Sequence, residues 1–255
     1  MTEVSRHEPG SFCWAELATT DDGSAKKFYT TLFGWGFEDS PAGPGMVYTM
    51  LKKNGKSVGA LYKMRPEQKG MPPNWMTYVT VASADESAKK AKELGGKVFM
   101  EPFDVMDVGR MAIVQDPQGA MLSLWEPRKH IGAEVMNELN AMCWCELQTT
   151  DTDSAKRFYT GLFGWGTKVG GDYTEWLRGG TSIGGMMKIQ KEWGPIPPNW
   201  LVYFCVEDCD AAAKKAGELG GGAIVPPSDI PNVGRFSVLR DPQGAVFAVV
   251  KLTAA

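Results

Sequence analysis

The spacing of apolar residues near the start of the chain predicts a strand followed by a helix. Residues 12–18 alternate in the way of a strand that is buried on one face. Apolar side chains then recur at helical spacing from Ala25 to Leu32. Asp21 stands where it can cap the first turn of this helix, and Gly34 stands where it can end it.

Further segments extend this start into a pattern that occurs four times. Strands are predicted over 47–52, 57–62, 75–81, 111–114 and 120–125, and a second helix over 84–94. An Asn-Gly pair marks the turn between the first two of these strands, and a Gly-Gly pair stops the second helix. The order βαβββ is therefore expected twice in each half of the chain, which predicts an α+β fold.

The two halves of the chain are copies of one another. Residues 16–36 and 146–166 are identical at 16 of 21 positions, at an offset of 130 residues. The segments PPNW, ELGG and DPQGA recur at an offset of 125, so the second copy is five residues shorter (130 − 125 = 5). We therefore predict two tandem domains, at 1–128 and 138–255, joined by a linker at 129–137.

Charge and composition indicate which classes of partner and which cellular compartment to expect. The 255 residues include 27 Lys and Arg against 30 Asp and Glu, with a net charge of −3 and no run of like charge, which argues against nucleic acid and membrane partners. There is neither a long apolar segment nor a signal-like start, so we expect a cytoplasmic protein. Five cysteines are an odd number and favour reduced thiols. Two histidines are too few for a His-rich metal centre in each domain.

The repeated motifs resemble those of a known superfamily. In both halves FY and LFGW lie on and after the first helix, and a GR pair and DPQG come before the last strand. This arrangement resembles the vicinal oxygen chelate superfamily, which includes glyoxalase I, bleomycin-resistance proteins and extradiol dioxygenases. The resemblance implies tandem glyoxalase-like domains, each with two βαβββ modules in a half-open, cup-shaped sheet that holds a metal and a small ligand. Because four modules can pair within one chain, a monomer with internal pseudo-symmetry is expected, and a dimer is possible.

The resemblance also indicates where metal ligands would lie, and the chain has other residues there. Counting from the repeated motifs gives Trp14, Met76 and Ser123 in the first domain and Trp144, Leu201 and Ala248 in the second. Tyr62 or a neighbour takes the remaining position of the first domain. None of the six aligned residues is a histidine or a carboxylate, so we predict cups that use no metal or other cofactor.

Strand alternation predicts which side chains face each cup. Cys13, Ala15 and Leu17 are expected on the helix side, which leaves their neighbours on the inner side. The predicted ligand-binding residues are Trp14, Met76, Tyr78, Ser123 and Trp125 in the first domain, and Trp144, Leu201, Tyr203 and Ala248 in the second. Met121 and Val246 are expected on the same inner faces. These side chains describe an aromatic, largely apolar site for a small molecule.

Glu16 and Glu146 are the candidate catalytic residues, because alternation places each carboxylate beside an inward tryptophan. Burial there raises the pKa of a carboxyl group and suits a general acid or base. The alternative is structural, with each carboxylate accepting hydrogen bonds and stiffening its cup. The two carboxylates can share a metal only if they lie in one cup.

Other repeated residues have weaker assignments. Trp75 and Trp200 either close over a ligand or, as we favour, anchor the loop before their strand. Arg110 and Arg235 bind an anionic group or form ion pairs.

The remaining thiols and histidines are given structural or incidental roles. Cys143 and Cys145 are two apart and are predicted to be buried on the helix side, while Cys205 is placed towards the second cup and Cys209 at a helix start. His7 in the tail and His130 in the linker are not placed for catalysis, and DPQG is assigned to a turn.

Three functions remain open from the sequence. The first is a protein that binds a small, partly apolar molecule without a divalent metal. The second is a lyase or an oxygenase- or hydroxylase-like enzyme, in which Glu16 or Glu146 acts as acid, base or atypical metal ligand. The third is a protein–protein regulatory module. The missing metal ligands favour the first, and the repeated inward carboxylate disfavours the third.

Overall fold

The computed structural model describes residues 4–43, 45–68 and 70–253, and each half forms one open sheet of eight strands with two helices. The first half consists of β1 (Phe12–Thr19), α1 (Asp22–Phe33), β2 (Gly36–Pro41), β3 (Val47–Lys53), β4 (Lys56–Lys63), β5 (Asn74–Thr80), α2 (Ala84–Glu93), β6 (Lys97–Val105), β7 (Gly109–Gln115) and β8 (Met121–Pro127). Its strands lie in the order β2-β3-β4-β1-β5-β8-β7-β6, so the first strands of the two modules are neighbours.

The second half repeats this arrangement. It consists of β9 (Met142–Thr149), α3 (Thr152–Phe163), β10 (Gly166–Gly170), β11 (Tyr173–Arg178), β12 (Thr181–Lys188), β13 (Asn199–Cys205), α4 (Cys209–Glu218), β14 (Gly222–Ile230), β15 (Gly234–Arg240) and β16 (Val246–Leu252). The strand order β10-β11-β12-β9-β13-β16-β15-β14 matches that of the first sheet. The predicted α+β fold, with two βαβββ modules in each half of the chain, is thereby confirmed.

The predicted cap of the first helix is present. Asp21 Oδ1 accepts the backbone N–H of Ser24 at 3.0 Å, and Gly34 ends α1 in the left-handed conformation with φ of 69°. The sequence analysis did not locate β2 or β6 and their counterparts in the second half. All six residues of β2 are exposed, so this edge strand has no buried face to set an alternating pattern.

The two sheets pack through their helix-facing sides. Trp75 on β5 lies 5.3 Å from Phe204 on β13 between ring centroids, and its indole N–H donates to Tyr29 Oη at 2.9 Å. The tyrosine hydroxyl donates in turn to Asp241 Oδ2 of the other half at 3.0 Å. Trp75 therefore lies between the domains and does not close over a ligand in a cup, which corrects that reading of this residue.

An equivalent bridge runs in the opposite direction. Trp200 donates to Tyr159 Oη at 2.9 Å, and this hydroxyl donates to Asp116 Oδ2 at 3.1 Å. The other oxygen of Asp116 accepts the backbone N–H groups of residues 118, 119 and 120. The DPQG turn is therefore also a contact between domains. Because the helix-facing sides meet, the two inner faces lie on opposite sides of the molecule, and Glu16 and Glu146 do not share a cup.

The N-terminal segment and the linker are packed against the first domain. His7 is buried, and its Nε2 lies 2.7 Å from the carbonyl oxygen of Ala133, so the expectation of a loose tail is wrong. Ala133 N–H donates to the carbonyl of Cys13 at 2.7 Å. Gly132 has φ of 108°, and a Cβ atom there would lie 2.4 Å from the same carbonyl oxygen. Glycine is therefore required for this close approach.

No α-helix among the described residues combines the length and the apolar character that a membrane span needs.

Candidate functional site

The pairing of β1 with β5 brings predicted site residues together on the inner face of the first sheet. Trp14 is opposite Tyr78, and Glu16 is opposite Met76. We call this face the first cup; it comprises Trp14, Glu16, Tyr48, Met76, Tyr78, Ser123 and Trp125. The second cup comprises Trp144, Glu146, Tyr173, Leu201, Tyr203 and Ala248. The predicted inward parity of these strands agrees with the observed pairing.

Two tyrosine hydroxyls hold the carboxylate of each cup. In the first cup, Tyr48 donates to Glu16 Oε2 at 2.5 Å and Tyr78 donates to Oε1 at 2.9 Å. The indole N–H of Trp14 is 3.4 Å from the hydroxyl of Tyr48. The carboxylate is thus part of a hydrogen-bonded chain that begins at the tryptophan.

The second cup has the same chain with one additional donor. Tyr173 donates to Glu146 Oε2 at 3.1 Å and Tyr203 donates to Oε1 at 3.2 Å. Gln148 Nε2 is a third donor, 3.3 Å from Oε1, and Trp144 donates to the hydroxyl of Tyr173 at 2.9 Å. This cup therefore surrounds its carboxylate more completely than the first.

Burial changes the acidity of both carboxyl groups. Loss of water raises the pKa of Glu16 and of Glu146 above the ordinary value, and the tyrosine hydrogen bonds, with Gln148 in the second cup, offset part of the rise. The pKa of each partner tyrosine is raised as well, first by burial and then by the adjacent carboxylate. The tyrosines therefore act as neutral donors.

The sequence analysis missed Tyr48 and Tyr173. These residues lie on β3 and β11, and the offset between them is 125, the value that relates the later repeats. Six of the seven tyrosines recur at one of the two repeat offsets, so the recurrence is a signal but does not single out this pair.

A β-bulge changes the predicted faces of the cysteines. Phe12 pairs with Val79 and Trp14 with Tyr78, which leaves Cys13 as the extra residue. Phe12 consequently takes the helix-facing position that alternation assigned to Cys13.

The same irregularity occurs at Cys143 in the second domain, between Met142 and Trp144. Cys143 packs with the residues of the second cup, whereas Cys145 is buried in the core between the sheets. The prediction that the two thiols share one face is wrong, because a strict two-residue period does not survive a bulge.

The linker covers one end of the first cup. The ring of His130 lies 4.7 Å from that of Trp14 in an edge-on contact, and its carbonyl accepts the indole N–H of Trp125 at 2.9 Å. Trp14 is 3% exposed as a result, whereas Trp144 is partly exposed in the second cup. His130 was assigned no place at a site, but the structure puts it against the first cup.

The small residues of the predicted set form the floor of the cups. Ser123 is opposite Tyr78 and Ala248 is opposite Tyr203, and both are fully buried. Leu201 is buried as well, and Met76 is partly exposed.

Comparisons with known proteins assign the family. The model of the Glyoxalase/Bleomycin resistance protein/Dioxygenase superfamily matches residues 12–124 and again 141–249. The chain belongs to this superfamily.

Two known proteins resemble the chain along almost its whole length. "Putative glyoxylase CFP32" of Mycobacterium tuberculosis is 43% identical over 98% of this chain and 98% of its own. "Anthracycline biosynthesis protein DnrV" of Streptomyces peucetius is 36% identical over 98% of this chain and 96% of its own. Both matches therefore include the two domains.

Solved structures of superfamily members share the fold at low sequence identity. A Mn(II)-bound glyoxalase from Novosphingobium aromaticivorans superimposes with a TM-score of 0.66 at 15% identity, over 95% of this chain and 82% of its own. An extradiol ring-cleaving dioxygenase from B. fuscum gives 0.65 at 15% identity, over 100% of this chain and 75% of its own.

The residues of the cups do not fit the divalent metal that the superfamily implies. Indole, thioether, aliphatic and, at Ser123, hydroxyl side chains occupy the positions where the resemblance predicts ligands, and none of them is the imidazole or carboxylate that a divalent metal needs there. Both oxygens of Glu146 already accept hydrogen bonds from phenols. Across the described ranges 4–43, 45–68 and 70–253, no three His, Cys, Asp or Glu residues lie close enough to hold a metal ion together.

Arg110 and Arg235 form ion pairs on the outer surface of the superfamily fold. Arg110 binds Asp85 with two hydrogen bonds, at 2.6 and 2.9 Å, and Asp104 with a third at 3.0 Å. Arg235 repeats this arrangement with Asp210 and Asp229. Of the two readings of these arginines, the structure supports the ion pair.

Proposed function

We propose that the chain binds a small, partly apolar molecule in the second cup without the use of a divalent metal. One observation carries the proposal: Glu146, only 5% exposed, lies between two tyrosine hydroxyls beside the partly exposed indole of Trp144. Polar groups held in place within a largely apolar surface are typical of small-molecule sites.

The exposure of equivalent residues favours the second cup over the first. Trp144 and Cys143 are partly exposed, whereas their counterparts Trp14 and Cys13 are 3% and 0% exposed beneath the linker. A ligand can reach the second indole without displacing a segment of backbone.

The side chains indicate the chemistry of this ligand. Trp144 offers a flat apolar surface, and Phe236 and Val238 extend it. Glu146, its tyrosines and Gln148 offer hydrogen bonds to a hydroxyl or carbonyl group. A planar aromatic molecule with hydroxyl substituents satisfies both. The name of one relative, "Anthracycline biosynthesis protein DnrV", supports the choice of this class.

A second candidate is an enzyme that uses Glu146 as a general acid or base. The observation in its favour is the raised pKa of Glu146, because a carboxyl group that stays protonated nearer neutral pH can donate a proton. Binding of the ligand is common to both candidates.

A hydroxylated anthraquinone is a suitable probe for a calorimetric titration of chelator-treated protein. We expect Glu146→Gln to weaken binding about tenfold, since removing one charged hydrogen-bonding partner costs on the order of 1.5 kcal/mol. Trp144→Ala should weaken binding by a similar factor through lost stacking. The matched variants Glu16→Gln and Trp14→Ala in the first cup should leave the affinity unchanged.

Three results would contradict the proposal. The probe does not bind, the first-cup variants lose as much affinity as the second-cup ones, or binding returns only when Mn²⁺, Zn²⁺ or Ni²⁺ is added. Elemental analysis of purified protein gives a further check. We expect less than stoichiometric divalent metal, and one bound equivalent that is lost in Glu146→Gln contradicts the metal-free assignment.

A further inference from the structure

Two cysteines lie on paired strands in the wall of the second cup. Cys205 is the last residue of β13, and its N–H donates to the carbonyl of Ala141 at 3.0 Å just before β9. Cys143 follows two residues later at the bulge, which turns it towards the inner face. Neighbouring strands lie about 4.8 Å apart. Cys143 lies diagonally across from Cys205, one position past the residue opposite Phe204, and a disulfide between them needs a Cα separation of roughly 4.4 to 6.8 Å.

The surroundings of the two thiols differ in a way that activates one of them. The Cys143 thiol donates to the carbonyl of Tyr203 at 3.6 Å. The nearby Cys143 thiol, the backbone N–H of Leu252 and the ammonium group of Lys53 favour the thiolate form of Cys205. Together these groups lower the pKa of Cys205 to about 7. The pKa of Cys143 is raised well above its usual range by the neighbouring Cys205 and by burial. Both side chains are partly exposed.

The first domain lacks this pair and supplies a control. Cys13 is the counterpart of Cys143, but Thr80 stands in the position of Cys205, and both are buried. Burial raises the pKa of Cys13 to about 12. Cys145 and Cys209 are also buried, and burial raises the pKa of Cys209 to about 11. Of the five thiols of the chain, the two in the second cup are therefore the reactive ones.

We propose that Cys143 and Cys205 form an oxidation-sensitive dithiol in the second cup, which hydrogen peroxide converts to an intramolecular disulfide. In the first step the Cys205 thiolate attacks one peroxide oxygen. The S–O bond forms and the O–O bond breaks, so the sulfur is oxidised to a sulfenic acid and the peroxide is reduced. The hydroxide that leaves takes a proton from solvent.

The second step closes the bridge. Cys143 sulfur attacks Cys205 sulfur, the S–S bond forms and the S–O bond breaks. The hydroxide that leaves takes the thiol proton of Cys143 and becomes water. In total, two thiols and one peroxide give one disulfide and two waters. The inference does not depend on the proposed ligand, because it uses only the two thiols and an external peroxide.

Mass spectrometry of the full chain tests this inference. Equimolar peroxide should lower the intact mass by two hydrogen atoms, proteolysis should give a peptide pair linked through Cys143 and Cys205, and dithiothreitol should reverse the change. Cys205→Ser should abolish the reaction. Cys143→Ser should stop it at the sulfenic acid, which dimedone traps on Cys205. Cys13→Ser is the matched control and should leave the disulfide unaffected.

Other outcomes overturn the inference. One is that both thiols of the peroxide-treated wild type still react with iodoacetamide after denaturation. A second is a disulfide between any other pair of cysteines. A third is a gain of oxygen on both sulfurs without a link. Because the wild-type chain alone decides between these outcomes, the test does not rely on the folding of any variant.

Discussion

Glu146 and its neighbours show how a carboxylate is kept inside a cup. Its oxygens accept hydrogen bonds from two tyrosines and a glutamine, and these donors replace part of the lost hydration. The replacement is incomplete, since the pKa of Glu146 is still raised. The folded protein therefore holds the protonated form of this residue to higher pH than the unfolded chain does.

This difference predicts how stability depends on pH. An unfolded glutamate has a pKa of about 4.3. Between that value and the higher pKa of the folded state, only the folded chain retains the proton, so the free energy of unfolding falls as the pH rises, by about 1.4 kcal/mol per pH unit. Glu146→Gln removes this contribution. We expect the difference in unfolding free energy, variant minus wild type, to increase as the pH rises from 4 to 7.

Urea unfolding at a series of pH values measures this change. Glu93→Gln, at an exposed helix end, is the control, and its curve should run parallel to the wild-type curve. A parallel curve for Glu146→Gln as well would show that this carboxyl group has its usual pKa.

Gly185 leaves the space that Tyr173 needs to reach Glu146. A Cβ atom at this position would lie 1.8 Å from the tyrosine hydroxyl. The equivalent residue of the first domain is Ala60. We expect Gly185→Ala to displace Tyr173 and to lower the unfolding free energy by about 1 to 3 kcal/mol, as overpacking does.

Chemical denaturation measures this loss, and carboxyl NMR of Glu146 follows the missing hydrogen bond as a further rise in pKa. Gly170→Ala, with no atom within 4 Å of the added Cβ, controls for the substitution itself. An unchanged Glu146 resonance in Gly185→Ala would mean that the tyrosine was not moved.

Among the elements, the linker distinguishes the two domains most clearly. It follows β8, the N–H of its Ala133 donates to the carbonyl of Cys13, and the ring of its His130 contacts the ring of Trp14. The contact depends on Gly132, which has both a positive φ and no room for a side chain. The access of solvent to the first cup is therefore controlled by the backbone of one segment.

Gly132→Ala should detach this segment. We expect faster hydrogen exchange at the N–H of Ala133, stronger acrylamide quenching of tryptophan fluorescence as Trp14 is exposed, and a loss of roughly 1 to 3 kcal/mol in stability. Gly43→Ala isolates the effect of the positive φ, because Gly43 has φ of 124° and open space around it. Equal exchange rates at Ala133 in both variants and the wild type would argue against a linker held by close contact.

At the scale of the whole molecule, two Trp–Tyr–Asp bridges join the domains in both directions. Tyr29 reaches Asp241, and Tyr159 reaches Asp116. Loss of contact between the domains would leave two carboxylates, Asp241 and Asp116, without their tyrosine partner. The bridges therefore couple the stability of the halves.

We expect a single calorimetric unfolding transition for the whole chain. Tyr29→Phe should lower the unfolding free energy by about 1 to 3 kcal/mol, because Trp75 and Asp241 lose a buried partner. Tyr159→Phe should act equally, and the transition should stay single in both variants. Two separate heat-absorption peaks in the wild type, or a loss confined to one of two transitions, would show that the domains unfold independently.

Much of the fold could be predicted because its sequence pattern occurs in both halves of the chain. The 3.6-residue spacing from Ala25 to Leu32 and the Asp21 cap were sufficient for α1, and the parity of Trp14 and Glu16 was sufficient for the inner face. Residues that contact distant parts of the chain were not predictable in this way. Strand alternation is compatible with Trp75 on either buried face of its sheet. Only the packing of the second domain against β5 shows that this residue lies between the domains.

The same limit applies to the polar residues. Periodicity indicates which face a residue takes, but a bulge at Cys143 and a linker that folds back on Trp14 are local departures that leave no periodic trace. Tyr48 is the exception, because its recurrence at the repeat offset was available in the sequence.

The packing of the two sheets has an evolutionary consequence. A substitution in one cup meets only its own domain, whereas a substitution at Tyr29 or Asp241 must suit both copies at once. The cups are therefore free to diverge after the duplication, whereas the residues of the two Trp–Tyr–Asp bridges recur in both copies. The pairs Thr80 and Cys205, Ala60 and Gly185, and Trp125 and Val250 already differ, all of them on the inner faces. Among relatives, we therefore expect the residues of the cups to vary more than the residues of the bridges between the domains.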